Sequence, residues 1–421
     1  MERLYVNGGK PLKGTIEVGG MKNAALPILF ATILIGDKCI IENLPEIKDI
    51  DNALNIIKAM GAKLRKLRKG AWEIDTRDVI PCSAPDELAG KMRASYYVLG
   101  AELARFGKAY TACPGGCDFG KRPVDQHIKG FEALGATVTQ DVSGIHCNAE
   151  GGLTGNQIYM DVASVGATIN VMLAAATAEG QTVIDNAARE PHIVDVANFL
   201  NSCGADIRGA GTEVIKINGK KDLHGETYAI IPDMIEAGTY MAAAAATGGD
   251  LTVTNVIPKH LETITAKLQE MGCDVTSDGD SVRVVGNLPL KKARIKTLPY
   301  PGFPTDMHPQ FSVLLAIAEG ESRMTESVME NRFKYVEELR RMGAEIEVDE
   351  KTAIIKGVPE LHAATVRATD LRAGAAMVIA ALATNGGTWI DDVYHIERGY
   401  EDMCGKLVAC GADIRKIKVE I

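Results

Sequence analysis

The sequence lacks three features, and each absence removes a class of protein. It has no excess of positive charge: 46 lysines and arginines stand against 55 aspartates and glutamates, a formal charge of −9. Broad nucleic-acid binding, which needs a basic face, is thereby disfavoured, although a local cationic cleft for a small anion is not. It has no long hydrophobic run near its start. The uncharged stretch 24–36 falls short of the roughly 20 residues that span a bilayer, so membrane insertion is not expected. The opening "MERLYVNGGKPLKG" also lacks the basic-then-apolar layout of a signal peptide. Finally, it has no cysteine framework. Nine cysteines, an odd number, are scattered without a paired C-x-x-C spacing, so neither a disulfide scaffold nor a zinc knuckle is indicated and a reducing cytoplasm is the expected compartment.

What remains is a chain of 421 residues, 46% apolar and 24% charged, the profile of a globular protein with two or more domains. Its strongest internal signal is a repeat. A helical stretch ending in Gly-Ala-x or a close variant occurs six times, with glycines at 61, 135, 204, 272, 343 and 411, spaced 74, 69, 68, 71 and 68 apart. Glycine just past a helix end carries no Cβ penalty in the left-handed conformation. The stripe Ile47, Ile50, Leu54, Ile57 predicts an amphipathic helix before the first glycine. Second helix candidates such as 24–35, 166–178, 238–247 and 374–384 are apolar on all sides, which predicts burial on all sides. Six such units exceed one ordinary core. Two pseudo-threefold α/β domains follow, because solenoid repeats usually run about 20–50 residues and these are longer.

Polar residues fall in register with the repeats. Lys22, Arg93, Ser164, Glu236, Asp306 and Arg372 lie 36–42 residues before their glycines, at the starts of the buried helices. Lys48, Arg122, Lys259, Glu330 and Arg398 lie 13 before theirs, with Pro191 in the third copy. Helix N-termini favour anions, and guanidinium groups there suit phosphate or carboxylate. Taken singly, each is equally a cap or an inter-repeat ion pair. Their periodic clustering with Asp306 and Glu330 points to a site between two facing domains. One stretch stands apart: "CPGGCDFGKRP", 113–123, packs two cysteines, three glycines and a Lys-Arg pair into eleven positions, leaving Cys117 as metal ligand, redox thiol, structural sulfur or reagent.

The segments "MKNAALP" (21–27), "MRASYYVLG" (92–100), "CPGGCDFGKRPVDQH" (113–127), "SVGATIN" (164–170), "NAAREPHIVD" (186–195), "FPTDM" (303–307), "ENRF" (330–333), "DLRAG" (370–374) and "HIERGYE" (395–401) together resemble the UDP-N-acetylglucosamine 1-carboxyvinyltransferases of the enolpyruvyl transferase family. The resemblance runs the length of the chain. It implies two inside-out α/β barrels of three repeats each, residues 22–229 forming one and 1–21 with 230–421 the other, with the cysteine loop at about 113–123. It also implies transfer of the enolpyruvyl group of phosphoenolpyruvate to the 3-hydroxyl of UDP-N-acetylglucosamine, through a tetrahedral intermediate and without metal or organic cofactor.

By that resemblance, Lys22, Arg122 and Arg398 hold the phosphate and carboxylate of phosphoenolpyruvate. Arg93 and Arg372 extend the cationic ring, and Asn23 adds an amide. Cys117 matches the acid that protonates C3, and cations nearby favour its thiolate. A buried structural sulfur fits poorly with a charged glycine loop, and a metal site with Cys113 lacks two further ligands. Asp306 matches the base for the sugar hydroxyl. Since a carboxylate ringed by arginines is a weak base, orientation of the hydroxyl is the alternative role. Glu330 and the backbone of Val328 match positions around the sugar. Arg122, Pro123, Val124, Asp125 and Gln126, with Ser164, Val165 and Gly166, match segments around the uridine and diphosphate, and His127 is expected to support the loop. The chain departs from the family at Met234, where arginine is frequent, and at Val162, where some members carry lysine. The rival readings are transfer to shikimate 3-phosphate and a catalytically silent paralogue.

Overall fold

The computed structural model describes residues 2–112 and 124–418. The chain splits into two compact units, one built from 20–112 with 124–231, the other from 2–19 with 232–418.

All six repeats are present, three in each unit, and the Gly-Ala signal acts as one physical device. The outer helices Lys48–Ala59, Asp125–Ala133, Pro191–Ser202, Glu262–Glu270, Val336–Arg341 and Met403–Ala409 each run into a glycine with φ between 90° and 112°. The amide after each glycine then reaches back five residues. Ala62 N donates to Ile57 O at 3.2 Å, Ala205 N to Leu200 O at 3.0 Å, and Ala412 N to Leu407 O at 3.1 Å, with the same bond at 136, 273 and 344. This is the Schellman stop, which satisfies carbonyls the helix would otherwise leave open and turns the chain toward the next strand.

In the first unit, the helices Lys22–Ile35, Tyr97–Phe106 and Val165–Ala175 pack on one another in the centre; in the second, Met234–Thr247, His308–Ala316 and Leu371–Ala383 do so. All fourteen residues of Met234–Thr247 are buried. The all-round apolar stretches of the sequence are these enclosed helices, around which sheets and outer helices are laid. Each unit is therefore an α/β barrel turned inside out. Close approach demands small residues: a Cβ on Gly100 would lie 2.4 Å from the Asn170 carbonyl oxygen.

Five of the six sheets share one pattern: a parallel edge pair, then two antiparallel partners. Lys38–Glu42, for example, pairs parallel with Thr227–Ala229 and antiparallel with Ala71–Asp75, which pairs in turn with Lys63–Arg68. The sixth, Lys108–Ala112 with Gly144–Asn148 and Thr137–Gln140, has three strands among the described residues. Distant segments close each ring. Thr227–Ala229 completes the first sheet of its unit. In the other unit Lys13–Glu17 pairs with Asp250–Thr254, and Glu2–Gly8 inserts between Gly386–Asp391 and Asp413–Lys418.

Candidate functional site

Within the first unit, Lys22 opens its central helix and is buried, with Nζ 2.7 Å from Asp49 Oδ2, itself buried in the first turn of the Lys48–Ala59 helix. The lysine singled out by sequence thus stands beside a carboxylate that the sequence reading did not single out. Asn23, next along the helix, is half-buried.

Arg93, Val124, Asp125, Gln126, Ser164, Val165 and Gly166 come from neighbouring elements of this unit. Arg93 begins a short turn, Arg93–Tyr96, and its guanidinium lies 5.5 Å from the Tyr96 ring centre. Val124 and Asp125 start the Asp125–Ala133 helix. Gln126 is fixed by two bonds: its Nε2 donates to Asp161 Oδ2 at 3.0 Å, and its Oε1 accepts from Asp161 N at 2.8 Å. Ser164 caps the next central helix, its Oγ accepting from Ala167 N at 3.3 Å. The capping alternative therefore applies to Ser164. Of the two departures, Met234 is buried at the start of its helix in the other unit, whereas Val162 is 65% exposed.

His127 joins these pieces. Asn170 receives the Gly100 amide at 2.8 Å through Oδ1, so its Nδ2 is the donor, reaching Tyr96 O at 2.8 Å and His127 Nδ1 at 3.0 Å. Nδ1 must then accept, which places the ring proton on Nε2. Burial, with the positive charge of Arg93, lowers the pKa of His127 to about 4, so the ring is neutral near pH 7. A Cβ on Gly166 would sit 3.2 Å from Nε2, which sets this donor against the N-terminus of the Val165–Ala175 helix. The geometry suits a supporting role for His127.

In the second unit, Asp306 lies in the turn Thr305–Met307 leading into the His308–Ala316 helix. Two buried arginines grip its carboxylate: Arg372 Nη2 stands 3.2 Å from Oδ2, with Nε at 3.4 Å, and Arg332 Nη2 stands 3.4 Å from Oδ1. Arg332 also donates to the Thr305 carbonyl at 3.1 Å, and Arg372 lies 5.3 Å from the Tyr400 ring centre. Arg332 was missed as a site residue, although it lies inside the "ENRF" segment. A buried arginine beside a turn cannot be told from a solvated one by spacing. Val328 and Glu330 follow in the strap after Glu321–Thr325, Val328 being 41% exposed. Arg398 is buried at the end of the Tyr394–Glu397 turn. Cys117, Arg122 and Pro123 lie outside the described residues.

Comparison with known proteins agrees with this geometry. A family model described as EPSP synthase (3-phosphoshikimate 1-carboxyvinyltransferase) matches residues 6–407. UDP-N-acetylglucosamine 1-carboxyvinyltransferase 3 of Caldanaerobacter subterraneus is 56% identical over 99% of this chain and 100% of its own length. UDP-N-acetylglucosamine 1-carboxyvinyltransferase of Clostridium botulinum is 54% identical over the same shares. Among solved structures, the enolpyruvyl transferase NikO from Streptomyces tendae superposes with a TM-score of 0.89 at 27% identity, covering 100% of this chain and 99% of that one. EPSP synthase from Acinetobacter baumannii shares the fold, with a TM-score of 0.77 at 19% identity over 99% and 100%. The six repeats, the paired arginines around Asp306 and full-length identity above one half place this chain in the enolpyruvyl transferase family, among the UDP-N-acetylglucosamine 1-carboxyvinyltransferases.

Proposed function

We propose that the protein transfers the enolpyruvyl group of phosphoenolpyruvate to the 3-hydroxyl of UDP-N-acetylglucosamine, releasing phosphate, as the first committed step of peptidoglycan precursor synthesis. The observation that carries this reading is the full-length likeness to relatives named for that acceptor, at 54–56% identity. Its substrates are small molecules, and its place is the cytoplasm, where free thiols persist. The described cysteines are all free, and no described helix is long and apolar enough to cross a membrane.

The residues divide the work by chemistry. Lys22, Arg122 and Arg398 meet the charges of phosphoenolpyruvate, with Asn23 hydrogen-bonding beside them. Arg93, the segments 122–126 and 164–166, and Glu330 hold the nucleotide sugar. In the addition step the sugar O3 bonds to C2 while C3 takes a proton, which Cys117 supplies, and Asp306 receives or orients the hydroxyl proton. In the elimination step C3 returns a proton, the C2–O bond to phosphate breaks, and phosphate leaves with that electron pair. Arg372 and Arg332 keep Asp306 in one orientation, and positioning of this kind is a large part of catalysis.

The test is phosphate release from phosphoenolpyruvate with UDP-N-acetylglucosamine, run beside shikimate 3-phosphate, because the family model carries that second acceptor's name. Turnover only with the nucleotide sugar is expected. Turnover only with shikimate 3-phosphate, or with neither, overturns the reading. In the same assay Cys117→Asp should retain turnover and escape alkylation by the epoxide fosfomycin, while Cys117→Ser loses most of its rate. Equal alkylation of native and Asp forms would contradict the role given to Cys117.

A further inference from the structure

Glu326 lies between two segments of the second unit and belongs to none of the motifs that the sequence reading assigned. It is 1% exposed and follows the strand Glu321–Thr325. Its carboxylate accepts four hydrogen bonds. Oε1 takes Thr297 Oγ1 at 2.7 Å, Val328 N at 2.7 Å and Met329 N at 2.9 Å, and Oε2 takes Thr305 Oγ1 at 2.8 Å. Three of these donors stand beside proposed site residues: Thr305 precedes Asp306, and Val328 and Met329 precede Glu330.

We propose that Glu326 is a positioning residue for acceptor recognition, fixing the strap 326–330 and the turn at Asp306 to each other. This inference rests on the function proposed above. A buried carboxylate is costly unless its lone pairs are filled, and here two backbone amides and two hydroxyls fill them, so neither segment can shift without breaking charge-assisted bonds. Thr297 makes the third leg, since its amide donates to Thr325 O at 2.9 Å and its Oγ1 accepts from Ser327 N at 3.0 Å. From the other side Arg332 holds the Thr305 carbonyl and Asp306. The junction also settles what Val328 offers a ligand. Its N–H is taken by Glu326, so the peptide group it presents is the carbonyl, an acceptor suited to the N–H of an acetamido group.

The experiment compares wild type with Glu326→Ala, Glu326→Gln and Thr305→Val, each checked by circular dichroism melting, in phosphate release with either substrate varied. Glu326→Ala should raise KM for UDP-N-acetylglucosamine about tenfold and lower kcat by about 10²-fold through the loosened Asp306 turn, leaving KM for phosphoenolpyruvate within about twofold. Glu326→Gln keeps an oxygen toward Val328 and Met329 and turns its amide to the Thr305 hydroxyl, which can accept. It should recover most of the loss. Thr305→Val cuts only the Asp306 side, so kcat should fall while KM for the sugar holds. A folded Glu326→Ala with wild-type constants, or one that raises both KM values alike, overturns the proposal. If Glu326→Ala does not fold, Thr305→Val with wild-type kcat overturns it instead. Wild type that turns over normally while the variants fail to split kcat from KM sinks this inference alone; wild type inert toward the nucleotide sugar sinks both it and the function.

Discussion

Replacing Arg332 by methionine removes a buried guanidinium while keeping an unbranched apolar stem in its place. Two contacts go: the 3.1 Å bond to the Thr305 carbonyl and the 3.4 Å bond to Asp306 Oδ1. Hydrogen bonds to charged groups are worth about 1.5–3 kcal/mol net. The Asp306 contact is longer than the 2.7–2.9 Å usual for such pairs, so it belongs at the low end. Together the two give about 2–3 kcal/mol of hold on the carboxylate, roughly 30- to 100-fold in rate if that hold matters in the transition state. Stability should change less, because burying a charge costs solvation that methionine does not. The assay is kcat/KM by phosphate release, in a double-mutant cycle with Asp306→Asn. Coupled residues lose less together than the sum of their separate losses. Arg332→Met within twofold of wild type, or losses that simply add, would refute the argument that Arg332 acts through Asp306.

Two further predictions concern stability. Glu102 is fully buried, accepting the Cys82 and Tyr110 amides at 2.7 and 3.2 Å, and burial raises its pKa from 4.5 to about 7. The folded state therefore binds the proton more tightly than the unfolded one. Stability is fully present below about pH 4.5 and falls as pH rises toward 7, by about 3 kcal/mol. Urea midpoints at pH 5 and pH 8 should show Glu102→Gln gaining on wild type at the higher pH; parallel midpoints would contradict this. Gly411→Ala, where φ is 92° and no atom lies near the new Cβ, should cost about 1–2 kcal/mol from backbone strain alone. Gly343→Ala should cost more, since its Cβ would lie 2.8 Å from the His362 ring, and equal midpoints for the two would remove the steric part of that claim.

The architecture was legible because its signals are local and repeated. Six glycines mark six helix stops, and the all-apolar stretches could only be enclosed helices. What joins distant parts of the chain left no such trace. No periodicity says that Glu2–Gly8 sits between strands near residues 390 and 415. The polar residues were legible where they repeat, as Lys22, Asp306 and Arg372 do. Asp49, Glu326 and Arg332 were not singled out, because a buried charge and a solvated one look alike in sequence until a partner from another element stands beside it. Ser164 shows the converse, a residue in the right register whose hydroxyl caps its own helix.

The ring closure by the first strands has a consequence for how the chain is made. Lys13–Glu17 leaves the ribosome more than 230 residues before its partner Asp250–Thr254, and Glu2–Gly8 about 380 before Gly386–Asp391. At roughly 5–20 residues per second, the leading segment waits for tens of seconds with its amides and carbonyls unclaimed, a template for strand pairing with other nascent chains. Residues 20–231, an uninterrupted stretch, are complete well before then. The part translated earliest is thus the last to find its place.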